Sequence, residues 1–192
     1  MSKSTSPSRN ATELRQAYFK HESAILATGQ LYYLLALGLF LASGTGVVLR
    51  QWRGVLSWRD TLWVAGVFAG LAVLYAVAGY GLRTLARWSP YAAGGLALLC
   101  LSSVIINPAV QHPVVLSVAL IRMAALPVGL IITLYGAYLV LFKKGVIVLS
   151  DDYRRAIAAT PEVTYAFSRV FLGTGIVLVT VQCLKVLMVF TG

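Results

Sequence analysis

Apolar residues come in long uninterrupted blocks along this chain, and short polar, basic segments separate them. Blocks of about 20 apolar residues match the length a helix needs to cross roughly 30 Å of hydrocarbon. Barrel strands would instead show segments of about 10 residues alternating with period two. Helices are also the only segments that satisfy their own backbone groups inside lipid. The pattern therefore predicts an all-α, polytopic transmembrane helix bundle. Its five spans fall at about residues 24–48, 61–82, 91–106, 123–142 and 166–190. Residues 1–23 form a polar cytoplasmic segment ahead of this domain. Within it, residues 1–10 are rich in serine and charge and read as a disordered tail. Residues 11–23 carry Leu14, Ala17, Tyr18 and Phe19 in an amphipathic pattern, predicting a short interfacial helix.

Local signals mark the span ends. Arg50, Trp52 and Arg53 form an interface after the first span. Ser57 and Asp60 fit a capping box for the second. Pro90 suits the first turn of the third. Asn107-Pro108 and His112-Pro113 then interrupt the chain, because a residue before proline is pushed out of the helical region. Residues 114–142 permit two readings. One is a single long helix through Arg122 and Pro127. The other, which we adopt, is an interfacial or re-entrant segment up to Arg122 followed by a span from Met123, since an arginine at the bilayer centre is costly. Were that fourth span wholly re-entrant, four would remain. Further on, Ser150 is placed to cap a short helix with Asp151 and Asp152 in its first turn, and Thr160-Pro161 ends it.

Composition strengthens the membrane reading. Of the 192 residues, 59% are hydrophobic and 11% charged, and the mean hydropathy is +0.81. Soluble domains average about 45–50% apolar and about 25% charged. The net charge of +10 is read as loop arginine and lysine facing anionic headgroups. Nucleic-acid binding is excluded, because no basic stripe is interleaved with exposed aromatics. Five spans place eleven of the sixteen basic residues on the side of the amino terminus, residues 83–90 and residues 143–169. The positive-inside rule makes that side cytoplasmic and the carboxyl terminus external.

Two segments carry a resemblance. Gly79-Tyr-Gly-Leu-Arg83-x-Leu-x-x-Trp88 and Lys144-Gly-x-x-Val-Leu-Ser150-x-x-Tyr153-x-x-x-Ile157-x-x-Thr160-Pro161 resemble a group of small, uncharacterised bacterial multi-pass membrane proteins, as does His21-Glu-Ser-Ala-Ile25. The resemblance covers roughly residues 20–168 and implies a multi-pass topology in a bacterial inner membrane. It implies no activity, cofactor or ligand.

Candidate chemistry is sparse. All six acidic residues (Glu13, Glu22, Asp60, Asp151, Asp152 and Glu162) lie outside the predicted spans, and His21 and His112 fall near opposite faces. No catalytic set, metal cluster or cofactor site is therefore expected. Cys100 and Cys183 lie in apolar runs and read as small hydrophobes. Arg122, Tyr153, Arg154 and Arg155 are the candidate contacts for lipid or a partner protein. Gly66-x-x-x-Gly70 is a candidate helix-packing motif, because small residues let backbones approach. The function this suggests is non-catalytic: an accessory, scaffold or assembly subunit of a membrane complex, or a homo-oligomer. The alternative is a small transporter or channel component built on the interrupted region 107–127.

Overall fold

Every regular element among the described residues is a helix. The computed structural model describes residues 7–52, 58–106, 116–160, 172–177, 179–180 and 183–184. The helices are α1 (Pro7–Trp52), α2 (Trp58–Arg83), α3 (Ser89–Ile106), α4 (Leu116–Leu141), α5 (Lys143–Val148) and α6 (Asp151–Ala159). The described residues after 171 are helical too. Among the described residues two stretches are long and apolar enough to cross a membrane, Ala11–Gly44 and Thr61–Arg83. Ser89–Ser102 and Val128–Leu141 are shorter apolar helices.

Two expected boundaries move. The interfacial helix and the first span are one helix, α1, which also takes in residues 7–10 of the tail read as disordered. Between Pro7 and Gly29 there is no proline or glycine, and the stretch is full of Ala, Leu, Glu, Gln, Lys and Arg, which favour helix throughout. Nothing local stops the helix at Ser23. The second change is in α4, which begins at Leu116 rather than Met123 and continues through Arg122 and Pro127. The single-helix reading replaces the break at Arg122. A proline removes one backbone donor, and apolar helices accommodate that where neighbours or small backbone adjustments satisfy the freed carbonyl. Residues 1–6, Ser57, the two Asx/His-Pro pairs and Pro161 lie outside the described residues.

The chain divides into two compact units, Met1–Gly29 with Tyr80–Ala166, and Gln30–Gly79 with Phe167–Gly192. In the first, α3 packs along α4, and a Cβ added at Gly94 would touch Leu141 at 3.7 Å. Ile25, Leu82, Ala93, Val140 and Val148 are buried there. The turn from α4 into α5 requires a glycine. A Cβ on buried Gly145 would strike the Leu139 carbonyl and lie 2.7 Å from Val140 Cα. Two buried threonines cancel their own polarity by donating back along their helices, Thr28 to the Ala24 carbonyl (2.8 Å) and Thr133 to that of Gly129 (2.7 Å).

In the second unit, buried Tyr32 meets Tyr75 edge to face with centroids 5.4 Å apart. Ser43 Oγ donates to the Ala65 carbonyl at 2.9 Å, which ties α1 to α2. Gly66 and Gly70 take no part in this contact. Both are exposed, and an added Cβ at either would meet nothing within 4 Å. Within the unit the hydrogen bond from α1 falls on Ala65, and the Gly66–Gly70 face is left open. Cys183, expected as a buried hydrophobe, is exposed, and Cys100 is half-buried.

Candidate functional site

The site lies wholly within the first unit and begins with the way α2 ends. Ala86 N–H donates to the Gly81 carbonyl (2.8 Å) and Leu85 N–H to that of Leu82 (3.3 Å). These are the paired bonds of a Schellman motif, which requires a left-handed residue at the position Leu85 occupies. Leu85 has φ 51°, in the region where glycine is the usual occupant. A side chain there costs about 1–2 kcal/mol, and burial of the leucine offsets this by a similar amount. The conformation also aims the Leu85 carbonyl at α6, where it accepts from Arg154 Nη2 at 2.6 Å.

Helix α6 is held in register by its cap. Ser150 Oγ accepts from Tyr153 N–H at 3.3 Å, and Asp151 and Asp152 occupy the first turn, complementing the helix dipole. Asp151 pairs with Arg87. Asp152 pairs with Arg155 at 2.7 Å, both about four-fifths exposed, so this second pair contributes little. The cap turns Tyr153 inward.

The third component comes from α1. Arg15 and Glu22 are two turns apart on one face and form an ion pair, with Nη2 3.1 Å from Oε1 and Nε 3.4 Å from Oε2. Both residues are nearly inaccessible, 4% and 2% exposed. A buried pair survives only if its remaining polar atoms are satisfied. Here Tyr153 donates its hydroxyl to Glu22 Oε2 at 2.6 Å. Arg15 Nη1 donates to the Thr160 carbonyl and, at 2.9 Å, to its hydroxyl. The Tyr18 ring stands edge-on to Tyr153, centroids 6.3 Å apart. Next to Glu22, His21 Nε2 donates to the Leu139 carbonyl at 2.8 Å, since a carbonyl can only accept. Removing one member of a buried ion pair typically costs about 3–5 kcal/mol.

Beside this network is an open-sided cavity of about 300 Å³, lined by Arg15, Glu22, Arg83, Thr84, Leu85 and Arg154 among others. That is at the small end of ligand pockets, which run from about 300 to 1,000 Å³. Among the described residues the lining includes the guanidiniums of Arg15, Arg83 and Arg154 and the carboxylate of Glu22. Arg154 Nε is buried without a hydrogen-bond partner. Such an unsatisfied donor costs about 1–3 kcal/mol unless an acceptor reaches it.

The residues singled out from sequence fall in different places. Tyr153, expected at lipid or a partner, is fully buried and serves the ion pair. Its period fits either role, and only the cap geometry orients it. Arg154 lines the cavity, one residue from Arg155, which remains on the surface. Arg122 lies on α4, and its side chain is outside the described residues. Sequence reasoning missed Arg15, Glu22, Arg83, Leu85 and Thr160. One signal was available: Arg15 and Glu22 are seven residues apart, hence on one helical face, once the helix is known not to break between them. Among the described residues no three His, Cys, Asp or Glu side chains are grouped to hold a metal. Comparison with protein-family models, curated proteins and solved structures gives no match.

Proposed function

We propose that the chain is a multi-pass membrane protein with five spans and a cytoplasmic amino terminus, acting without catalysis as an accessory or assembly subunit of a membrane complex. The observation that carries the membrane reading is where the apolar surface lies. Over the apolar window of Thr61–Arg83 only 24% of the residues are buried, against 39% for Ala11–Gly44. Leu62, Trp63 and Val73 are each at least 60% exposed. A core helix of a soluble protein would bury such residues, and exposed apolar surface on this scale needs lipid or a partner to cover it. Eleven of the sixteen basic residues, among them those at the α2–α3 turn, on α6 and near the start of α1, share the cytoplasmic side in the five-span topology, against three in the loop at residues 50–59.

The non-catalytic role is supported by what the buried polar groups do. Glu22, Arg15, Tyr153 and Thr160 satisfy one another, which is the behaviour of a structural lock. The continuous α4 also removes residues 116–127 from the interrupted region that suggested a transporter. The test is extraction of the natively expressed chain in mild detergent followed by affinity isolation. Stoichiometric co-purifying membrane proteins are the expected result. A lone monomer at native expression would refute the subunit reading, and release by alkaline carbonate would refute membrane insertion.

A further inference from the structure

The outward faces of α3 and α4 change chemistry at one level. On α4 the exposed side chains run in order from aliphatic, Ile131 and Leu134, to aromatic, Tyr135, Tyr138 and Phe142. The rings form a continuous series. Tyr135 and Tyr138 are stacked with centroids 6.5 Å apart, and Phe142 follows Tyr138 at 4.4 Å. Two exposed lysines, Lys143 and Lys144, come next, and buried Gly145 turns the chain beyond them. The neighbour of Gly94 sets the level of α3 against this series. Gly94, near the start of α3, lies beside Leu141, the last residue of α4, so the two helices pack antiparallel. Exposed Leu98 is one turn deeper than Gly94. Exposed Tyr91 is about 4.5 Å further out, near the level of Phe142 and Lys143. Both helices therefore pass from aliphatic to aromatic in the same direction, and α4 leads into cations.

Hydrocarbon, then aromatic rings, then basic groups is the order in which a bilayer leaflet accommodates side chains. Tyrosine and lysine each bring an apolar body and a polar tip to that boundary. The acids that open α6 do not cancel the two lysines, because Asp151 pairs with Arg87 and Asp152 with Arg155. We propose that the surface formed by Tyr91, Tyr138, Phe142, Lys143 and Lys144 binds the headgroups of anionic phospholipid. This contact rests on the membrane reading above and adds a site and a lipid class to it. The lysines select anionic over zwitterionic headgroups, and the rings fix the depth at which they meet them.

The test uses the full chain purified in a mild detergent and titrated with phosphatidylglycerol or with phosphatidylcholine in mixed micelles. Bound lipid is read by native mass spectrometry and by thermal stabilisation. Phosphatidylglycerol is expected to bind more tightly, with a preference that shrinks as salt is raised. Lys143→Gln and Lys144→Gln are each expected to weaken phosphatidylglycerol binding about fivefold, the scale of one basic residue at an anionic surface. Neither should change phosphatidylcholine binding by more than about twofold. Phe142→Ala is expected to weaken both lipids, since it removes a ring and not a charge. Arg155→Gln, exposed but paired with Asp152, is expected to leave phosphatidylglycerol binding within about twofold. Circular dichroism and gel filtration check the fold. Should Phe142→Ala not fold, Phe142→Leu replaces it with the same expected direction.

Equal affinity for the two lipids would overturn the site, as would an undiminished preference in both lysine variants. Equal weakening by Arg155→Gln would also overturn it, because net charge and not this surface would then be the cause. So would a co-purifying protein that shields both lysines from an amine-reactive reagent while phosphatidylglycerol fails to bind. A chain that resists carbonate extraction yet shows no lipid preference refutes this inference alone. A chain that carbonate releases refutes the membrane reading. Flotation with phosphatidylglycerol vesicles then decides the surface: lysine-dependent flotation supports it, and none overturns it.

Discussion

Removing a single oxygen tests the buried network most directly. Tyr153→Phe keeps the ring, its packing against Tyr18 and the cap of α6, and deletes only the hydroxyl that donates to Glu22 at 2.6 Å. The tyrosine and glutamate are 0% and 2% exposed, so water does not replace the lost donor. Glu22 Oε2 is left with Arg15 Nε at 3.4 Å, beyond the good range for a hydrogen bond. A hydrogen bond to a charged group is worth about 1.5–3 kcal/mol. We therefore expect a loss of about 2 kcal/mol, and at about 2–4 °C per kcal/mol for a chain of this length the Tm falls by roughly 4–8 °C. Glu22→Gln should cost more, about 3–5 kcal/mol, because it leaves the Arg15 charge buried and unpaired. The assay is thermal unfolding in detergent followed by tryptophan fluorescence, with helicity checked by circular dichroism. The double variant closes a cycle whose coupling should exceed about 0.5 kcal/mol. A Tyr153→Phe protein as stable as the parent, or additive losses in the cycle, would show that the hydroxyl does not serve Glu22.

Four further substitutions probe the backbone and the helix ends. Gly145→Ala forces a methyl against the Leu139 and Val140 backbone and should destabilise by at least about 1–3 kcal/mol, seen as a lower Tm and poorer yield. Gly66→Ala and Gly70→Ala meet open space in helix α2, so each should stabilise the isolated chain by about 0.5–1 kcal/mol. A drop in oligomer size by light scattering would instead reveal that this face packs against another chain. Ser150→Ala removes the cap on α6 and should cost about 1 kcal/mol by thermal unfolding, with an unchanged Tm counting against the cap.

The all-helical architecture and the positions of three helices could be read from the residue pattern, because helix formation responds to local signals. Length, apolar periodicity and the serine before Asp151-Asp152 act over a few residues, and α2, α3 and α6 start and end within a few residues of expectation. Local signals failed where they competed. The polarity of residues 11–23 suggested a separate element, yet helix propensity carried α1 straight through them. At Arg122 and Pro127 the desolvation argument was set against a run of strong helix formers, and the helix continued.

What only the tertiary structure decided is which charges meet. Glu22 reads in sequence as an acidic residue outside the spans, and Tyr153 as a contact for lipid or a partner. They touch because α1 and α6, 131 positions apart at this contact, are packed side by side. The same holds for Arg154 and the Leu85 carbonyl, whose encounter depends on a left-handed residue that no local preference for leucine would predict. Hydrophobic pattern sets where segments begin and end, since it acts through each segment's own solvation. Buried ion pairs and cavities arise from partners distant in sequence, and their identity is a property of the packed chain.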